Sequence, residues 1–346
     1  YTDERFPKKL IKGIVSRVKI ISKLNISEKR IPQDGKAQVK FGGRKIDLRV
    51  ATTPCVHGEK VVIRILDKGE GEVTLQMLGF SEEQLKIFKK QILAPWGMIL
   101  ITGPTGSGKT WTLSTSLKLL NKDDVNIMTA EDPVEFDIEG INQVQARPEV
   151  GLTFAAALKS FLRADPDIVM IGEVRDIETG DIAIKAAQTG HLVFATLHTN
   201  SAPDTIARMV NMGLEPFNIS SALNMVVAQR LVRKVCDKCK VEEEIDPKIK
   251  TELGIPPEKH AEAKFYHGEG CSRCNQGYKG RTAVYEVLPI SEVLQKLIVK
   301  EASVDEIKKQ ARKEGMSTLR ESAVAKALKG ITTVEEVFKR TAADDR

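Results

Sequence analysis

The sequence predicts an α/β fold: a mainly parallel sheet with helices on both faces, preceded by a small α+β unit. Three observations carry this. First, a glycine-rich loop, Gly103-Pro104-Thr105-Gly106-Ser107-Gly108-Lys109-Thr110, follows the apolar run Met98-Ile99-Leu100-Ile101 and precedes a helix-compatible stretch at 112–117. Second, apolar β-type runs recur at 98–102, 125–130, 168–171 and 192–197, separated by segments of helix length, as in parallel strands joined by helical crossovers. Third, four of the five cysteines form two close pairs inside one segment, 236–275.

At 346 residues the chain is long enough for two or three domains. Composition is ordinary for a globular protein, 41% hydrophobic and 29% charged, and no apolar run approaches the roughly 20 residues of a membrane-spanning helix. No signal peptide is visible, and the chain opens at Tyr1 in charged sequence. It therefore reads as a fragment with sequence upstream. The net charge of +6 is modest for this length and does not demand a nucleic-acid partner.

Leu10, Ile11, Ile14, Val15, Val18, Ile21 and Leu24 form a helical stripe. Val39 and Phe41, a Gly42-Gly43 turn, then Ile46, Leu48 and Val50 read as a β-hairpin, and Val61–Leu66 as a further strand. Residues 1–67 are thus expected to form a domain of their own. Asp67–Glu72 is polar and glycine-bearing, and 68–78 is expected to be a linker. The main domain follows at 79–346, with a cysteine-bearing insertion at 236–275 and a helical region at 290–342.

Residues 103–110 make a complete phosphate-binding loop. Its three glycines allow backbone angles that a β-carbon forbids. Successive N–H groups can then point at phosphate oxygens, with the positive end of the next helix behind them. Lys109 would reach the β- and γ-phosphates, and the Thr110 hydroxyl would sit on Mg²⁺. Asp167–Glu173 is a buried-strand run ending in an acid. Beside a phosphate loop, Glu173 can orient an attacking water or hold Mg²⁺ through water. Glu131, Asp132 and Glu135 gather three acids at another strand end, where a cation or positioned water would offset their repulsion. Gly190–Asn200 brackets a strand with two histidines, and His198 can donate to a γ-phosphate.

Cys236-x2-Cys239 and Cys271-x2-Cys274 supply four thiolates, each pair spanning one edge of a tetrahedral ion. Structural zinc is the reading: four sulfurs leave no open position for catalysis. Thirty-one residues separate the pairs, so the intervening loop should carry its own structure. Cys55 has no place in this scheme and reads as a packed thiol.

In this order the segments closely resemble the secretion ATPase superfamily of type II secretion and type IV pilus motors, over about residues 5–335. Walker A falls at 103–110, an aspartate box at 126–136, a glycine-containing Walker B at 168–175 and a histidine box at 190–200. The resemblance implies a RecA-like P-loop ATPase domain with an N-terminal PAS-like domain and an inserted zinc module, working as a homohexamer. It implies that Glu173 is the catalytic glutamate, with Glu135 supporting Mg²⁺ and water. It further implies that Arg49 and Arg64 close over the γ-phosphate. Guanidinium forks suit phosphate oxygens and stay charged; the plain alternative is two outward-facing strand arginines.

Leu152–Leu158, Ala183–Gly190, Asn211-Met212-Gly213 and Phe217-Asn218-Ile219 look most like the pilus extension ATPases. These resemble this chain in having the tetracysteine module, which retraction motors lack. That branch implies ATP-driven pilin assembly through an inner-membrane platform protein, at the cytoplasmic face of the inner membrane. The type II secretion ATPases are the alternative. A nucleic-acid translocase is a third reading, disfavoured by the modest charge and 5% aromatic content. A non-enzymatic nucleotide sensor is disfavoured by the full set of catalytic acids. Trp111 stands where a small residue is more usual, with packing on the sheet or approach to a base both open.

Overall fold

The structure is a computed structural model. It describes residues 7–41, 44–66 and 73–342; the Gly42-Gly43 turn and the polar break Asp67–Glu72 lie outside the described residues. The chain divides into two units, Tyr1–Glu72 and Val73–Arg346.

The first unit is one helix, α1 (Lys8–Ile21), and an antiparallel meander of β1 (Gln33–Phe41), β2 (Arg44–Cys55) and β3 (Gly58–Leu66). The apolar stripe of α1 is only partly used. Leu10, Ile11 and Ile14 stay more than a third exposed, whereas Lys19 is buried. Its ammonium pairs with Glu59 at the start of β3 and donates to Glu28 O (2.7 Å). A buried charge needs such partners. Cys55 is exposed rather than packed. It pairs with Gly58 across the tight β2–β3 turn, which carries it to the surface.

In the second unit the part of the expected linker from Val73 onward belongs to the fold. Leu75–Leu78 makes a 3₁₀ turn with Leu75 and Leu78 buried, so residues 73–78 of the expected 68–78 linker are part of the fold, and 68–72 lie outside the described residues. Then come α2 (Glu82–Ile92), β4 (Gly97–Thr102), α3 (Lys109–Leu120), β5 (Ile127–Glu131) and β6 (Asn142–Gln145). They are followed by α4 (Phe154–Phe161), β7 (Ile168–Ile171), α5 (Ile177–Gln188), β8 (Leu192–Leu197), α6 (Ala202–Asn211) and α7 (Pro216–Ala222). The long β9 (Leu223–Val235) leads into β10 (Lys240–Glu243), α8 (Pro247–Glu252), β11 (Phe265–Gly268) and β12 (Tyr278–Pro289). Four helices close the chain: α9 (Glu292–Val299), α10 (Val304–Lys313), α11 (Leu319–Leu328) and α12 (Val334–Arg340). No described helix is long and apolar enough to cross a membrane.

Seven strands make one sheet in the order β12-β9-β4-β8-β7-β5-β6, all parallel except the β12–β9 edge pair. Strand β4 lies inside and is fully buried. Alternation sends Met98 and Leu100 into the core beneath α4–α7, α9 and α10, and Ile99 and Ile101 into the core beneath α2 and α3. The sheet thereby has helices on both faces, and its inner strands β4, β7 and β8 read as apolar runs. The carboxyl edge collects the loop after β4, Glu131 at the end of β5, Glu173 just beyond β7 and His198 just beyond β8. Open α/β sheets bind ligands at this edge.

Ile99 has no exposed surface. Ile99→Ala should lower the stability of the second unit by about 2–5 kcal/mol. Urea unfolding measures this, and a loss below about 1 kcal/mol would contradict tight packing around β4.

Candidate active site

The loop begins where β4 ends, and Gly108 is the N-cap of α3 in the left-handed region, φ 92°. Lys109 Nζ crosses the loop to Gly103 O (2.7 Å) and Pro104 O (3.4 Å). Burial lowers its pKa to about 8; Glu173 raises it and Arg230 lowers it further. Pro104, Thr105 and Gly106 are exposed, and Thr110 is half-buried in the first turn of α3. Ser107 is buried, with no hydrogen-bond partner for its hydroxyl among the described residues. A β-carbon built on Gly106 would meet nothing within 4 Å. An open cradle with a spare hydroxyl, at a helix N-terminus, fits bound phosphate. Trp111 rests on Phe136, ring centroids 4.7 Å apart, and against the core beneath α2 and α3. Packing is the contact the structure gives it.

Glu173 is held from two sides. One carboxylate oxygen lies 3.3 Å from His198 Nε2, and the other accepts from Arg175 Nε at 2.6 Å. Arg175 also faces Asp132 (3.7 Å) and lies 5.9 Å over the Phe154 ring. Arg175 was not singled out by its sequence context; its only signal is its place two residues beyond the Walker B acid. Gly172 is closely packed: a β-carbon there would stand 3.2 Å from Ala130 O and 3.3 Å from the Glu131 α-carbon. The Thr196 hydroxyl donates to Gly172 O at 2.5 Å, tying β8 to the turn that presents Glu173.

The aspartate box is less of an acid cluster than its sequence suggests. Glu131 is buried, and one of its oxygens accepts from Thr129 Oγ1 (2.7 Å) and Gln143 Nε2 (2.8 Å). These donors satisfy that oxygen within the protein. Asp132 is turned toward Arg175, and Glu135 is half-buried beside Phe136.

The histidine-box loop is fastened on both sides. Thr199 Oγ1 meets Thr102 Oγ1 at 2.5 Å and Thr205 Oγ1 at 2.7 Å. Arg230 Nη2 donates to Asn200 O (2.9 Å) and Nη1 to Gln229 O (3.0 Å). Burial lowers the Arg230 pKa, and nearby Glu286 opposes that. Neither Arg230 nor Gln229 was legible as a site residue, because both fall inside an apolar strand with no motif of its own.

The four paired cysteines converge, all sulfurs within 4.8 Å of one another. The contacts Cys236–Cys271, Cys239–Cys274 and Cys271–Cys274 are 3.9, 3.8 and 3.6 Å. Four thiolates about 2.3 Å from a zinc ion stand about 3.8 Å apart, so the set fits zinc. Backbone N–H groups of Gly270 and Cys271 donate to Cys239 and Cys274 sulfur (3.3 and 3.2 Å). Burial pushes the Cys239 thiol up to about 12. It pushes Cys274 upward too, but donation from Cys271 outweighs it and brings that thiol down to about 7. Gly268 and Gly277 let their two chain segments cross: a β-carbon on either would come within about 2.2 Å of the other's backbone. The segment between the pairs does carry structure, namely β10, α8 and β11.

Arg49 and Arg64 belong to the first unit. They are direct cross-strand partners on β2 and β3, hence on one face of that sheet. Arg49 is half-buried and Arg64 exposed.

The chain is 51% identical over 99% of its length to the Type IV pilus assembly ATPase PilB of Myxococcus xanthus, covering 61% of that protein. It is 48% identical over 95% of its length to the Type II secretion system protein E of Pseudomonas aeruginosa, covering 65% of that protein. The chain thus spans about three fifths of the length of these curated relatives. Among solved structures it resembles the pilus retraction motor PilT with bound ADP: TM-score 0.65, 26% identity, 90% of this chain and 77% of that one. The family described as Type II/IV secretion system protein matches residues 4–339. The chain belongs to that family.

Proposed function

We propose that this chain is the ATP-hydrolysing core of a motor for type IV pilus assembly. One arrangement carries the reading: a phosphate loop on a doubly buried strand, with Glu173 oriented by His198 and Arg175 at the same sheet edge. The ADP in the retraction-motor structure supports a nucleotide at this loop. The higher identity to a pilus assembly ATPase than to a type II secretion protein supports the pilus branch.

Lys109 exchanges the carbonyls of Gly103 and Pro104 for phosphate oxygens, and Thr110 is the residue that would hold Mg²⁺. The metal supplies neutralisation of phosphate charge when bound. Glu173 orients water for in-line attack, with Glu135 in support. His198 is placed to sense the γ-phosphate through its contact with Glu173. Arg49 and Arg64 are the proposed γ-phosphate arginines. As direct cross-strand partners the two guanidinium groups share one face of the sheet, which supports their meeting one phosphate together. Contacts that depend on the γ-phosphate make two nucleotide states unequal, and only such inequality can drive motion. The working assembly is a homohexamer at the cytoplasmic face of the inner membrane, acting on a platform protein. The tetracysteine set is a structural zinc site.

Glu173→Gln should bind ATP normally and hydrolyse it about 10²–10⁴-fold more slowly. Parental turnover would remove Glu173 from the chemistry. In the source bacterium the same change should abolish surface pili and spare protein secretion; the reverse outcome would move the chain to type II secretion.

Lys109 also sets a pH dependence. Its free-state pKa is about 8, below the ordinary lysine value, because burial disfavours the charge. Bound phosphate favours the charged form, so binding takes up a proton above that pH. ATP affinity should fall about tenfold from pH 7 to pH 9, read by calorimetry. An unchanged affinity would show that Lys109 is fully charged without nucleotide.

Metal analysis of the purified chain should find one zinc per chain. Cys271→Ser should abolish it and lower the melting temperature. A parent chain that purifies without zinc and takes up none would rule out the four-thiolate site.

A further inference from the structure

Gln229 lies on β9 against the phosphate loop and is 1% exposed. Its side-chain Nε2 donates to Ser107 O (2.7 Å), and its Oε1 accepts from Thr112 Oγ1 (2.9 Å). Its own carbonyl oxygen would stand 2.5 Å from a β-carbon on Gly103, and its Nε2 3.1 Å from one on Gly108. One buried side chain thus holds the loop near its end and grips the first turn of α3. The amide orientation is fixed by chemistry: reversing it would set Oε1 against Ser107 O, two acceptors face to face.

The Ser107–Gly108 peptide is trans, the one cis bond among the described residues being Asp132–Pro133. In a planar trans peptide the C=O and N–H point in opposite directions. Because Gln229 holds Ser107 O toward the buried side, the Gly108 N–H faces the opposite, open side of the loop. That N–H also belongs to the helix end where the macrodipole favours an anion. Glycine at 108 has little torsional resistance of its own, so the peptide needs an external hold. On the other side of the loop Lys109 occupies Gly103 O, leaving Gln229 as the side chain fastening the peptide between Ser107 and Gly108.

We propose that Gln229 is a positioning residue for phosphate binding, aiming the Gly108 N–H by pinning the Ser107 carbonyl. The inference rests on the nucleotide reading above. A side chain that only filled space would be replaceable by another of its shape.

The test is Mg·ADP affinity of the whole chain by calorimetry at pH 5.5 and 7.0. Each variant is expressed relative to the parent at the same pH, so that the ionisation of ADP cancels. Gln229→Met keeps length and volume but loses the donor. Gln229→Glu keeps the shape, accepts only while ionised and donates once protonated. Burial raises the pKa of such a carboxyl, so it gains the donor as pH falls. Among the titratable groups around it, Lys109 titrates at about 8, above this range, and burial raises Tyr285 across the strand pair; the adjacent Arg230 is lowered by burial and opposed by Glu286. Q229M should bind about tenfold more weakly at both pH values, the scale of one lost buried hydrogen bond. Q229E should be at least as weak at pH 7.0 and recover to within about threefold of the parent at pH 5.5. Parental affinity in Q229M, or Q229E as weak at pH 5.5 as at pH 7.0, overturns the inference. Should Q229E fail to fold by circular dichroism, Q229M decides alone. A parent that does not bind ADP would instead sink the nucleotide reading itself.

Discussion

The site depends on burying one parallel sheet from both sides. Strand β4 has no exposed residue, and its alternate side chains enter two separate cores. Such a strand can shift neither along its axis nor about it without opening a cavity on one face or the other. A strand covered on one face could relax toward solvent. Here the end of β4, and with it the start of the phosphate loop, is fixed against β8 and β9 at once. Loop amides can act as an anion site only if their directions are set before the anion arrives. The sheet sets the position of the loop, and contacts from neighbouring strands set its directions.

Those contacts form a connected set. The Thr102 hydroxyl donates to Leu197 O and meets Thr199, so the residue before the loop is tied to the strand and loop of the histidine box. Arg230 holds Asn200 on the other side of that box. Glu286, buried, accepts from Ala202 N at the start of α6 and from Leu319 N at the start of α11. Two helix N-termini favour its negative charge, and Arg230 is near enough for mutual electrostatic stabilisation. The surroundings of Glu173 are therefore joined by hydrogen bonds and charge to the C-terminal helices. Motion of the histidine-box loop would be resisted at α6 and α11, elements that lie outside the nucleotide motifs.

What the sequence disclosed follows from the range of the physics involved. The phosphate loop, the Walker B strand and the cysteine pairs are local: a strand–loop–helix context or a two-residue spacing sits within one short window. Sheet class was readable for the same reason, since buried parallel strands announce themselves as apolar runs. Pairings between distant segments were not. Nothing near Glu173 in the sequence says that both of its oxygens are engaged, because His198 arrives from another strand. The buried state of Glu131 depends on Gln143, a residue of the short strand β6 with no apolar signature. Cys55 looked like a core thiol until the turn that exposes it was seen. Lys19 shows the reverse case: a lysine on a helix carrying an apolar stripe is the side chain that the fold buries, because Glu59 and Glu28 O wait for it.

Strand β9 joins the two chemistries of the second unit. It pairs with β4 through Met98–Thr102, runs past the loop at Gln229 and Arg230, and ends at Val235, next to Cys236. Arg230 and Cys236 are six residue steps apart, roughly 20 Å of extended chain at about 3.3 Å per step. Its antiparallel partner β12 begins at Tyr278, four residues after Cys274, and Val235 pairs with Tyr278. The four-sulfur cluster therefore closes the β9–β12 pair at the end farthest from the start of β9. Register in such a pair matters because a slip of one residue would turn Gln229 away from the loop and present Ala228 or Arg230 in its place. A long insertion between paired strands is the circumstance in which register is least constrained by a turn. An ion held by the four sulfurs would supply that constraint by holding the insertion's two ends together. The tetracysteine module and the phosphate loop are in this sense joined through one strand, β9.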